Sequence, residues 1–155
     1  MEDLETTLLE TILKGKWNLE GDLAPAKIVW TRSFWRAESG GTFTDPRIEV
    51  SHSINRREQE IGQLFNYLVR IRIYKWSTGS DDTDITTAKD LKWKMMEEIK
   101  RIIDLYDPNT GTETLPTNWK DVLFMSSISI DQENMPKPLL GEEIAVRIKI
   151  YWTGS

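Results

Sequence analysis

The sequence predicts an α+β fold: one domain over residues 1–155 in the order α-β-β-β-α-β-β, with a mostly antiparallel sheet of about five strands and two helices on one of its faces. Three observations carry this. Apolar residues alternate with polar ones in RIEVSHSI, YLVRIRIYKW and EEIAVRIKIYW. The stretch from Thr86 to Tyr106 changes to a helical period. A length of 155 residues with 39% hydrophobic and 29% charged side chains suits one buried core, and excludes both a disordered chain and a membrane protein from the expectation.

The first element is a short helix from Asp3 to Lys14, in which Leu4, Leu8, Leu9, Ile12 and Leu13 fall on one stripe and Gly15 is placed to end it. A polar break around Glu20 to Pro25 leads to the first strand, AKIVWTRSFW, rich in β-branched and aromatic residues. Gly40 and Gly41 make Ala37 to Pro46 a long, mobile loop. The second strand, RIEVSHSI, sets Ile48 and Val50 against Arg47, Glu49 and Ser51. The third runs from Tyr67, or as early as Gln63, to Trp76, with Val69, Ile71 and Ile73 opposite Arg70, Arg72 and Tyr74.

STGSDDTD is too polar to continue the sheet. The helix that follows buries Ala88, Leu91, Met95, Ile99, Ile102, Ile103 and Tyr106, with Thr87 and Asp90 at capping-box spacing. Its other face carries Asp90 with Lys94 and Glu97 with Arg101, both at i,i+4. A turn-rich loop, DPNTGTETLPTN, precedes the strand KDVLFMSSISID. After QENMPKPLLGE, the last strand sets Ile144, Val146, Ile148, Ile150 and Trp152 against Ala145, Arg147, Lys149 and Tyr151.

Chemistry is sparse. The chain has no cysteine, which removes disulfides, thiolate metal sites and a cysteine nucleophile. Its single histidine, His52, has no partner at metal-ligand spacing, and no serine stands in a nucleophile-elbow context. Neither Gly40-Gly41 nor STGSDD has phosphate-loop spacing. Asp81, Asp82 and Asp84, or Asp131 and Glu133, have the chemistry for a divalent cation or an acid-base pair. Nothing in their spacing selects one, and they read as solvated loop carboxylates. The sequence therefore predicts no catalytic residue, cofactor or metal. It also predicts no signal peptide and no membrane span, and hence a protein made in a cytoplasm.

Arg70 and Arg72 on one strand and Arg147 and Lys149 on another, beside Tyr74, Trp76 and Tyr151, form the pattern of a single-strand nucleic-acid surface. The net charge of -5 opposes that reading, and Glu49 and Asp131 stand on neighbouring strands where cross-strand ion pairs would use the same cations. Seven tryptophans are more than one small core accommodates, and the excess points to a protein partner. A flat polar sheet face meeting an identical subunit uses both cations and aromatics, and a small nucleic-acid-binding module is the alternative.

The element order, with its P-R-I-E-V strand, its V-R-I-R-I-Y strand, one long helix and a closing V-R-I-K-I-Y-W strand, resembles the tail-terminator or tail-completion (head-tail joining, neck) proteins of tailed phages and related archaeal viruses and proviruses. The resemblance covers roughly Leu4 to Trp152 and implies a non-enzymatic virion protein assembled in the host cytoplasm. Such a protein forms a homo-oligomeric ring, commonly a hexamer, at the head-proximal end of the tail tube. There it ends polymerisation and meets the head connector, and DNA passes through without specific binding. The resemblance places contact loops at Arg36 to Asp45 and Asn109 to Trp119. The candidate interface residues are Trp35, Arg36, Arg70, Arg72, Tyr74, Trp76, Trp119, Arg147, Lys149 and Tyr151.

Overall fold

The computed structural model describes residues 4–36, 45–58 and 63–152, with side chains throughout except at 26, 53–58, 63 and 152. Five strands, β1 (Ile28–Trp30), β2 (Arg47–Glu58), β3 (Gln63–Trp76), β4 (Trp119–Ser129) and β5 (Leu139–Trp152), form one sheet in the spatial order β1-β2-β3-β5-β4. Every neighbouring pair is antiparallel except β1 with β2. Period-two alternation fixes the register: Val50, Ile71 and Ile144 lie side by side, as do His52, Val69 and Val146, so the branched side chains form rows across a single face.

Two helices cover that face, as an α+β fold requires. The first, α1, starts as an α-helix over Leu4–Thr6 and widens to π-type i→i+5 bonding over Thr7–Lys14. Its stripe of Leu4, Leu8, Ile12 and Leu13 is buried, whereas Gly15 stays right-handed at φ -66 and does not itself break the helix. The second, α2 (Asp82–Leu105), lies over β3, β4 and β5, and α1 lies over β1 against α2. One core joins Leu8 and Ile12 to Met95, Ile99 and Ile102 and to the sheet rows.

Several boundaries differ from the sequence expectation, each for a local reason. α2 begins at Asp82 instead of Thr86, because Asp81 is the N-cap, its carboxylate accepting the Asp84 N–H at 3.2 Å. Asp82 and Asp84 then lie in the first turn, where the helix dipole favours negative charge. β1 ends at Trp30 because the Thr31 hydroxyl binds Ser33 N and O and turns the chain out of the sheet. β5 starts at Leu139, earlier than the proline-rich segment suggested. Most of the expected Ala37 to Pro46 loop, the Asp3 helix start and the Trp152 side chain, which alternation places with Ile150, lie outside the described residues.

Ion pairs of α2 also differ from the sequence expectation. Arg101 binds Glu98, not Glu97, with Nε and Nη2 each 2.8 Å from a carboxylate oxygen. Glu98 also accepts Asn18 N–H at 2.6 Å, and Arg101 donates to Lys16 O at 2.7 Å, so the pair clips the chain leaving α1 onto α2. Asp131 pairs with Lys92 of α2 and not with a strand cation. Lys92 Nζ lies 2.9 Å from Asp131, 3.4 Å from Glu142 and 3.2 Å from Gly141 O, and Gly141 N–H donates to Asp131 at 2.8 Å.

These contacts predict an acid limb to stability. The Arg101 hydrogen bonds hold the Glu98 carboxyl below its ordinary value despite burial. Burial alone would raise Asp131, but its bonds from Lys92 and Gly141 outweigh it and leave that carboxyl lowered too. A lowered folded-state pKa gives stability that is complete above the unfolded value and lost as pH falls through the folded one, here below about pH 4. Glu98→Gln should cost about 1.5–3 kcal/mol at pH 7. The gap between variant and wild-type melting temperatures should close towards pH 2, and parallel curves would contradict the clip.

Candidate subunit interface

The face of the sheet away from the helices is partly covered by the strap Thr31 to Arg36. Trp35 N–H donates to Glu49 Oε1 at 2.8 Å, and Tyr74 OH donates to Trp35 O at 3.2 Å. The Trp35 ring meets Tyr74 and Trp76 edge-on at 5.7 and 6.0 Å. Arg72 bonds Glu143 at 2.8 Å and the Tyr74 oxygen at 3.3 Å, and its guanidinium lies 4.5 Å from the Phe34 ring centroid. Burial raises the Tyr74 hydroxyl pKa, so it stays a donor.

This strap sorts the sequence-predicted residues. Tyr74 and Trp119 are buried within the subunit, Trp119 at 5% exposure inside the core, so neither offers a contact surface. Both drop out of the predicted interface: the strap covers Tyr74, and β4 begins at Trp119, facing inward beside Ile150, where the resemblance implied the end of a contact loop. Trp35, Trp76 and Arg72 form the half-buried strap cluster, and Lys137 stands 5.4 Å from the Trp76 centroid. Arg147 pairs with Asp121 at 2.7 Å. Lys149 and Tyr151 are half-buried and engaged within the chain, and Arg36 is exposed with an interaction of its own. Glu49 pairs with Arg47 of its own strand at 3.2 Å instead of with a cation across the sheet.

Arg70 is different. It stands exposed between Ser51 and Ala145, and among the described residues it has no ion-pair partner. It borders a recess of about 210 Å³ lined by Phe34, Ser51, His52, Leu68 and Arg70. β1 pairs only with Ile48, Glu49 and Val50, so past Val50 no described strand lies against that edge of β2. His52 itself turns its ring to the other face, 5.0 Å from Trp30 and 5.7 Å from Tyr67, which is a packing role. Among the described residues, no group of three or more carboxylate or histidine side chains is placed to hold a metal ion.

The sheet's opposite edge is a feature that alternation did not reveal. β4 has no described strand beyond it. From Val122 to Ser129 it carries no charged residue, and Leu123, Met125 and Ile128 are exposed, Met125 at 51% and Ile128 at 62%. Edge strands of soluble proteins are usually blunted by lysine, proline or a cover, so an edge that is uncharged, apolar and uncovered among the described residues is a candidate contact surface. The signal in the sequence was the run VLFM, which breaks period two where a register shift separates Phe124 from Ser126. Lys100 of α2, 5.7 Å from the Phe124 ring centroid, places that flank of the helix beside the same edge, and exposed Trp93 lies two turns away on it.

No protein-family model matches the chain, and no curated protein matches its sequence.

Proposed function

We propose that this chain is a structural assembly protein of the tail-terminator type, which closes into a ring on the head-proximal end of a tail tube and presents the surface to which the head connector joins. The open, apolar edge of β4 carries the reading, because an edge of that chemistry needs a protein neighbour and a ring supplies one to every subunit. The α+β order of helix, three strands, helix and two strands agrees with the family resemblance. The net charge of -5, with Arg72 and Arg147 already ion-paired, suits a channel that lets DNA pass without holding it.

Polymerising tail-tube protein with and without this chain, followed by negative-stain imaging, tests the proposal. Tubes should stop growing and carry a ring at one end. Tubes of unchanged length with bare ends would refute it, and salt-sensitive binding of labelled single-stranded oligonucleotide would favour the nucleic-acid reading instead.

A further inference from the structure

The two edges of the sheet are unlike each other, and the difference is complementary. At one edge stands a knob: Met125 and Ile128 project from β4, where no described strand follows. At the other is a socket: β1 stops at Trp30, the strap swings Phe34 over the outer face, and a recess of about 210 Å³ opens between Phe34, Ser51, His52, Leu68 and Arg70, beside the edge of β2 on which no described strand follows β1. A recess of that size has room for an aliphatic side chain. Its walls are apolar at Phe34 and Leu68, and exposed Arg70 in its lining carries several N–H donors, which suit the backbone carbonyls of a strand with no described neighbour on one side.

We infer that β4 of one subunit seats Ile128 in the Phe34–Leu68–Arg70 recess of a second copy, joining subunits head to tail. A knob and a socket on different patches of one molecule make a heterologous contact, which repeats around a ring if the rotation closes. The inference rests on the ring reading and names its contact. A two-fold pairing of β4 with β4 would leave the recess empty.

Charge exchange tests this. Ile128 is 62% exposed, so Ile128→Lys leaves the subunit folded and brings a second cation against Arg70. The variant should weaken subunit association by about 100-fold or more, as for a hot-spot residue replaced by an unpaired charge. Adding Arg70→Glu to the same chain should restore assembly, because the lysine then meets a carboxylate.

The natural absence of cysteine allows a second readout. Ile128→Cys combined with Leu68→Cys, treated with a flexible bismaleimide, should give a ladder of multimers ending at the ring. Dimers from Ile128→Cys alone would mean β4 pairs with β4 and would overturn the inference. Wild-type assembly by Ile128→Lys, or no recovery in the double variant, would also overturn it while leaving the ring intact. A wild-type chain that forms no ring, alone or on tubes, would remove the ring reading and this contact together.

Discussion

Replacing Lys92 by alanine is expected to destabilise the subunit by about 3–5 kcal/mol, the usual cost of removing one partner from a buried ion pair. Lys92 is 4% exposed and neutralises two carboxylates, Asp131 and Glu142, the latter also only 4% exposed. Without the lysine, the buried Glu142 carboxylate loses its cation, and that loss draws on a total stability of only about 5–15 kcal/mol. The loss is electrostatic more than steric. Lys92→Met combined with Asp131→Asn and Glu142→Gln should therefore recover much of it. Urea unfolding followed by tryptophan fluorescence measures both variants, and a change within about 0.5 kcal/mol for Lys92→Ala, the range of a plain surface substitution, would contradict the buried-pair account.

Trp119→Ala is expected to cost a further large amount, about 3–5 kcal/mol, by opening a cavity in the core. Trp119 packs beside Ile150 at the start of β4, and its backbone N–H donates to Pro116 O at 3.0 Å. The preceding Asn118 has φ 72, a left-handed turn that swings the indole inward. The loss should be the same at every protein concentration, since it belongs to the single subunit. A stability change that disappears on dilution, with assembly weakened instead, would return Trp119 to the subunit contact that sequence position alone suggested.

How far these features could be read in advance depends on the scale of the interaction that sets them. Alternation in VRIRI and VRIKI reports strand geometry directly, and β3 and β5 with their inward rows follow from it. The helix face of α2 follows in the same way, while its start differs because Thr87 and Asp90 have capping-box spacing but the cap that forms is Asp81, through the Asp84 N–H. Ion-pair partners were poorly legible. Asp131 finds Lys92 because α2 packs over the sheet, which depends on tertiary packing and not on local pattern. Arg101 has Glu97 at i,i+4 and Glu98 at i,i+3, and binds Glu98, whose carboxylate also accepts the Asn18 N–H of the chain leaving α1. The strap from Thr31 to Arg36 has a strand-like composition, and only the Thr31–Ser33 turn diverts it. Arg70 was legible as a candidate contact residue; its place in a recess at the far side of the sheet from the β4 edge was not, since those parts come from four separate segments of the chain.

The most direct test of the central claim is the solution mass of the protein, by native mass spectrometry across a concentration series with and without tail-tube subunits. The account predicts a closed species containing a fixed number of 18.0 kDa subunits, six in the ring that the resemblance implies, whose mass does not grow with concentration. A chain that remains an 18.0 kDa monomer at the highest concentration, alone and with the tube protein, would contradict it.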